Sequence, residues 1–403
     1  MDDLDHRSLG TRLDLWHIQE DAPGMVFWHP RGYALYRVLE DYIRRNMRRL
    51  GYAEVRTPQL LPRDLWVRSG HWEKFGANMF SLTSGERPMA LKPMSCPCHV
   101  QIFNKGLRSW RDLPLRYAEF GACHRDEPSG SLHGLMRTRG FEQDDAHVFC
   151  RQEDVAGEVA RFVALLSEVY AALGFPAPEV TLATRPETRA GSDALWDWAE
   201  DALADAARQC GLSFNVQPGE GAFYGPKLDF ALRDRLGRSW QCGTVQLDSV
   251  LPNRLDASYV GPDGNRLVPV MVHHAVFGSV CRFIAILLEH YSGALPFWLS
   301  PEQVAVAPIS RDQADYAADV REAFEAHNIR TVLLDGAETL SRRIVAAREV
   351  SVPMVAVVGR REAEQGTVSL RERDGDVAVL SLKDATTLLW RRAYPAHSGG
   401  TQA

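Results

Sequence analysis

Lysine is scarce in this sequence. Of 46 lysine and arginine residues among 403, only Lys74, Lys92, Lys105, Lys227 and Lys383 are lysines. Surplus positive charge is missing too: 52 acidic residues leave a net charge of -6, so any RNA contact must come from local patches. The segment after Ser300 is not basic either. No run of about 18 apolar residues and no N-terminal signal pattern occurs, so a soluble cytoplasmic protein with no membrane contact is expected. The seven cysteines are odd in number, scattered and without C-x-x-C spacing, which reads as reduced thiols and again as cytosol. Internal repeats and low-complexity tracts are absent. What is present is apolar content of 45%, enough for the cores of two domains.

Periodicity supports two units. Leu35, Leu39, Tyr42 and Met47 fall at helical spacing over residues 32–50, with Gly51 placed to end the helix. Residues 155–173 form a second amphipathic pattern closed by Gly174, and Ser192 is a candidate N-cap for a third running toward Cys210. Leu228, Phe230 and Leu232 alternate, and a turn near Gly237 leads into residues 239–248, which predicts an antiparallel hairpin. Gly278 and Ser279 precede a helical run that puts Arg282 in its first turn, where the helix dipole favours anions. Beyond the linker 296–301, short apolar runs alternate with helical patterns, which predicts an α/β domain with partly parallel strands.

The segment from Cys123 to Phe149, CHRDEPSGSLHGLMRTRGFEQDDAHVF, carries the densest chemistry. Arg125, Arg137 and Arg139 bracket the turn-forming Pro128, Ser129 and Gly130, so two strands joined by a long loop are expected. Guanidinium forks suit phosphate oxygens, and Glu127 with Asp144 or Asp145 could receive amine donors or a magnesium ion. The same spacing also fits a surface hairpin with solvated ion pairs.

At this segment the chain resembles the threonyl-tRNA synthetases, members of the class II aminoacyl-tRNA synthetases. Arg125-Asp126-Glu127 is similar to the second class motif, and GFEQDDAHVF to the threonyl branch. Residues 25–58, SGHWEKF around His71, KPMSCPCH around Cys96, GEGAFYGPK around Tyr224, WQCGTVQLD around Gln241 and VPVMVHHAVFGSVCRF ending in Arg282 follow in family order. The fold this implies is α+β. A class II antiparallel β-sheet flanked by helices would occupy residues 1–297, and a smaller α/β anticodon-binding domain residues 298–403. Residues 25–58, similar to the first class motif, imply a homodimer.

The resemblance also assigns roles. Cys96, His147 and His273 correspond to the ligands of one zinc ion per subunit, leaving a position open for the substrate's amino group and hydroxyl. Such a site separates threonine from valine, which a hydrophobic pocket does poorly. Asp145 would accept the hydroxyl, with Met94, Gln143, Tyr224, Gln241 and Thr244 as neighbours of the amino acid. For ATP with Mg2+, Arg125 would hold the α-phosphate, Arg137 and Arg282 the β and γ phosphates, Glu127 the adenine amine, and Phe141 would stack on the ring. Lys227 joins Arg125 and Arg282 as a candidate catalytic group. His71 matches a histidine implicated in transfer to the tRNA 3′ end; a near-neutral imidazole could relay the ribose proton, and a structural role beside Trp72 is the alternative. Glu362 and Arg371 occupy positions that read anticodon bases.

The chain also departs from the family pattern. Cys98 replaces a usual glycine, His274 a usual arginine and Cys281 a usual glutamate. Cys98 and His274 stand beside the metal set in sequence and could reorient it or compete as ligands. Ala337 falls where asparagine is common. The core match begins near Met1 without the family's editing region, so serine misactivation uncorrected in cis is expected. Three functions follow: a threonyl-tRNA synthetase core; a paralogue activating threonine or a related β-hydroxy amino acid for specialised metabolism or inhibitor resistance; and a non-catalytic RNA-binding relative. No ATP-gripping arginine or zinc ligand is lost, as the third would favour.

Overall fold

The computed structural model describes residues 3–373 and 375–394. They divide into two compact units: residues 19–25 and 40–286, and the described residues up to Ile18, 26–39 and from Leu287 onward. Phe297 packs with Val304, Phe324 and Leu389, while the Arg330 guanidinium donates to Trp298 O at 2.8 Å and Ser300 O at 2.9 Å. The segment before the first strand of the second sheet is therefore part of that sheet's core.

The larger unit is built on eight strands in the order Asn215–Gln217, Glu179–Ala183, Lys227–Arg233, Ser239–Asp248, Val270–Ala275, Gly140–Cys150, Leu115–His124 and Ala53–Glu54. The six central strands pair antiparallel, and the two outermost pair parallel with their neighbours. Alternation explains the hairpin: Leu228, Phe230 and Leu232 are all buried, and the ring of Phe230 meets Phe162 from helix Val155–Ala172 at 5.8 Å. One sheet face is thereby covered by apolar packing, and the polar residues between them are left for the other face. Helix Asp193–Gln209 starts at its predicted cap, with Ser192 Oγ accepting from Leu195 N at 3.3 Å. The charged segment forms the expected pair of strands, Leu115–His124 and Gly140–Cys150, with Gly140 opposite His124.

Close backbone approach fixes one turn of the sheet's polar face. A Cβ on Gly225 would lie 1.7 Å from Leu247 O, a main-chain atom that cannot swing aside. Gly225→Ala is expected to destabilise the fold by on the order of 3 kcal/mol, read as a lowered urea midpoint at unchanged slope.

In the second unit five strands run in the order Thr331–Leu333, Val304–Pro308, Met354–Val358, Thr367–Glu372 and Val377–Ser381. The first three are parallel and the last two antiparallel. Both faces of the central strands are covered. Val304 and Val306 pack with Val320, Phe324 and Leu389, whereas Ala305 and Ala307 pack with Ala347, Val355 and Val357. That double burial is why these strands read as continuous apolar runs. No helix among the described residues is long and apolar enough to cross a membrane.

Candidate active site

The polar face of the large sheet opens into a cavity of about 530 Å³. Its walls carry Arg125, Glu127, Arg137, Phe141, Lys227 and Arg282, and also Met94, Gln143, Tyr224, Gln241 and Thr244. Every residue expected at the ATP and most of those expected at the amino acid are therefore brought together.

Three arginines concentrate positive charge there. Arg125 Nε and Nη2 both donate to Pro93 O at 3.3 Å, and its guanidinium lies 5.2 Å from the Phe141 ring and 6.0 Å from Phe75. Arg282 donates from Nε to Met136 O and from Nη1 to Gln241 O, each at 3.0 Å, and sits 5.7 Å from the Trp240 ring. Burial pulls the Arg282 guanidinium below its usual range, and the neighbouring charges of Arg137 and Arg125 add to this. An anion bound between them would relieve that repulsion.

Two polar residues that the sequence reading missed organise the amino-acid wall. Asp229 accepts from Gln241 Nε2 at 2.5 Å and Thr244 Oγ1 at 3.0 Å, and pairs with Lys227 Nζ at 2.7 Å. Gln246 Oε1 accepts from the Tyr224 hydroxyl at 2.7 Å. Their signal was available: both occupy the polar positions of the hairpin whose apolar positions were read.

Beside Tyr224, whose ring stacks on His273 at 5.0 Å, lies a buried group of Cys96, His147 and His273. One potential ligand atom from each falls within 4.8 Å of the others. Register explains the two imidazoles, because His147 and His273 are directly opposite on adjacent antiparallel strands. Cys96 opens helix Cys96–Phe103, where the N-terminal dipole favours a thiolate. Burial pushes the Cys96 thiol well above its usual range and His147 well below, so both are neutral until a cation arrives. A thiol and two imidazoles in a buried, convergent set suit zinc. Asp145 Oδ1 is 3.6 Å from His147 Nε2, its carboxyl raised by burial.

Behind this set is a charged network. Burial alone would raise Glu119, but bonds from His99 and Thr57 and the Lys92 ammonium hold it down to about 2 from the ordinary 4.5. A depressed carboxyl stabilises the fold fully above its unfolded value and loses that contribution as pH falls toward its folded one. Wild type should thus lose on the order of 3 kcal/mol more than Glu119→Gln as pH falls from 4.5 toward 2, measured by urea unfolding.

Several expectations are corrected. Asp144 is no candidate ligand: strand alternation turns it away from Asp145, and its carboxylate accepts from Val276 N at 2.8 Å and Phe277 N at 3.0 Å. His274 likewise faces away from His273, with Nε2 2.6 Å from the Tyr52 hydroxyl and its ring 4.7 Å from Phe162, so it cannot compete for the metal. Cys98 packs with Trp66, Met79 and Ala90 outside the ligand group. Cys281 is buried, and its thiol is pushed up to about 12. His71, expected either as a near-neutral relay or as a structural residue, is fully buried, its Nδ1 2.9 Å from Ser69 Oγ and its Nε2 3.4 Å from Cys96 Sγ. Burial lowers it to about 3. In the other unit Glu362 caps its own helix by accepting from Gly359 N at 3.0 Å, while Arg371 is exposed on strand Thr367–Glu372.

A second acidic–histidine group, Asp5, His6 and Glu289, is satisfied internally. Glu289 accepts from His6 N, and Asp5 pairs with Arg7.

Comparison with known proteins gives a consistent result. A family model described as the tRNA synthetase class II core domain (G, H, P, S and T) matches residues 80–291, and an anticodon binding domain model matches residues 303–389. The sequence is 56% identical over 393 residues to a threonine–tRNA ligase of Caulobacter vibrioides, covering 97% of this chain and 60% of that protein. The chain thus spans about three fifths of the curated relatives it matches. The crystal structure of the RNA binding domain of threonyl-tRNA synthetase from Cryptosporidium parvum superposes with a TM-score of 0.94 at 39% identity, covering 97% of this chain and 99% of that one. A putative threonyl-tRNA synthetase from Aeropyrum pernix superposes with a TM-score of 0.81 at 26% identity, over 97% of this chain and 98% of the other.

Proposed function

The chain belongs to the class II tRNA synthetases, and within them to the threonyl-tRNA synthetase family, and from that premise we propose that it activates L-threonine with ATP and charges threonine tRNA. The observation that carries this reading is a single cavity joining three arginines to a wall that borders a buried Cys–His–His set. Glu127 and Phe141 hold adenine, Arg137 and Arg282 grip the β and γ phosphates with Mg2+, and Arg125 faces the α-phosphate. The threonine carboxylate attacks that phosphorus, pyrophosphate leaves, and Arg125 and Lys227 neutralise the charge that builds on the phosphoryl oxygens. No covalent bond to the protein is needed, so rate comes from positioning and preorganised charge.

Cys96, His147 and His273 would hold zinc, which supplies a Lewis-acid position for the amino group and hydroxyl of threonine. Asp145 accepts a hydrogen bond from the hydroxyl, and Met94, Gln143, Tyr224, Gln241 and Thr244 close around the substrate. The 3′-terminal ribose hydroxyl of threonine tRNA then attacks the carbonyl carbon of the adenylate, its proton is lost to solvent, AMP leaves and the threonyl ester forms. Buried as it is, His71 acts through Cys96, on the metal side of the site. Residues 298–403 serve as the anticodon-binding domain, with Arg371 and Glu362 meeting bases, and residues 1–297 as the catalytic one. The first-motif helix pairs two copies, and the enzyme works in the cytoplasm.

Threonine-dependent ATP–pyrophosphate exchange tests this directly, with valine and serine alongside. Strong exchange with threonine, almost none with valine and measurable exchange with serine are expected, because serine keeps both groups and lacks only a methyl worth about 1–3 kcal/mol. Charging of threonine tRNA by the same protein completes the test. Exchange without charging would overturn the proposed role in translation.

A further inference from the structure

A hydrogen-bond chain behind His147 fixes where its proton sits. Glu119 Oε1 accepts from Thr57 N at 2.7 Å and from Lys92 Nζ at 3.1 Å, so that oxygen faces two obligatory donors. Its Oε2 accepts from Thr57 Oγ1 at 2.9 Å and lies 3.1 Å from His99 Nε2. Lys92 also donates to Thr57 Oγ1 at 2.8 Å, which commits the hydroxyl proton to the carboxylate. A carboxylate so surrounded has no proton to offer, and His99 Nε2 must be the donor. With His99 taken as neutral, its one N–H is on Nε2, which makes Nδ1 an acceptor. It stands 2.8 Å from His147 Nδ1, so His147 donates there and keeps its lone pair on Nε2.

The other imidazole is set in the same manner. Asp248 Oδ1 accepts from Val250 N at 2.7 Å and Leu251 N at 2.8 Å, and Oδ2 lies 3.0 Å from His273 Nε2. That carboxylate is held by main-chain donors and accepts a hydrogen bond from the His273 Nε2–H, leaving Nδ1 unprotonated.

We propose that Glu119 with His99, and separately Asp248, are positioning residues that fix the tautomers of His147 and His273, so that His147 Nε2 and His273 Nδ1 are the metal-binding nitrogens. This rests on the metal reading above. Outer partners of this kind orient ligands and hold their protons away from the ion.

Glu119→Gln reverses the first chain. The amide NH2 cannot sit at the Oε1 position against Thr57 N–H and the Lys92 ammonium, so it turns to His99 Nε2. His99 must then carry its proton on Nδ1, facing His147, and His147 is left with a proton on Nε2. Zinc affinity, measured by competition with a chromophoric chelator, is expected to fall about 10–100-fold in Glu119→Gln. His99→Asn, whose Oδ1 offers an acceptor in place of Nδ1, is expected to retain affinity that His99→Leu loses. In metal-free wild type, long-range 15N–1H spectra of labelled histidine should show His147 protonated on Nδ1. A folded Glu119→Gln protein with wild-type affinity, or His147 protonated on Nε2 in wild type, would overturn the proposal. Were Glu119→Gln not to fold, the wild-type spectrum decides alone. Failure of wild type to bind zinc would instead sink the metal reading, while the spectrum would still judge the tautomers.

Discussion

Arg125→Ala is expected to lower threonine-dependent ATP–pyrophosphate exchange about 10²- to 10³-fold while leaving the urea midpoint close to that of wild type. The side chain is fixed before any substrate arrives, by two bonds to Pro93 O and by the rings of Phe75 and Phe141. It forms no ion pair with a carboxylate among the described residues, so its loss exposes no buried partner charge. Its charge is available only to whatever enters the cavity. As negative charge shifts toward the α-phosphoryl oxygens, a guanidinium already in place gives most to the transition state and little to ground-state binding. The defect should therefore fall on kcat more than on the KM for ATP. Arg125→Lys restores a point charge without the planar fork and should recover only part of the rate. Exchange indistinguishable from wild type in Arg125→Ala would remove this residue from the reaction.

The hairpin carrying Gln241 and Thr244 was legible because it follows local rules. Leu228, Phe230 and Leu232 mark one face by alternation, and the strand ends fall at Lys227 and Asp248. Helix Asp193–Gln209 was legible through its cap at Ser192. The convergence of Cys96, His147 and His273 was not. It depends on register between strands remote in sequence, which no local pattern encodes, and only the family resemblance pointed to it.

Two of the corrections share a physical cause. At Asp144 and Asp145, as at His273 and His274, neighbouring residues of like chemistry point to opposite faces of the sheet. Alternation could not say which face was which, because all of Val270–Ala275 is buried, and Asp144 is buried while Asp145 is only partly so. Asp144 serves the turn at Val276 and Phe277 and His274 serves Tyr52, while only Asp145 and His273 meet the cavity side. His71 is a different case. Its motif gave no information on burial, and the rings of Phe75 and Phe223 at 5.9 Å and 5.6 Å enclose it.

Removing the thiol separates selectivity from nucleotide chemistry. Cys96→Ala is expected to lose bound zinc, measured by elemental analysis, and to lose threonine selectivity with it. His147 and His273 remain opposite each other through sheet register, but two imidazoles without the thiolate make an incomplete set for zinc. A site that engages the substrate hydroxyl can reject an analogue lacking it by about 10⁴ or more, whereas shape alone separates near-isosteres by only about 10². The ratio of exchange efficiencies for threonine over valine should therefore collapse toward the lower figure, chiefly through loss with threonine. ATP should still bind, since Arg125, Arg137, Phe141 and Arg282 are untouched and Cys96 does not line their cavity. Chelation of wild type should reproduce the defect, and added zinc should reverse it there while failing in Cys96→Ala. Full threonine selectivity in a zinc-free protein would show that Asp145 and the cavity wall discriminate the hydroxyl unaided.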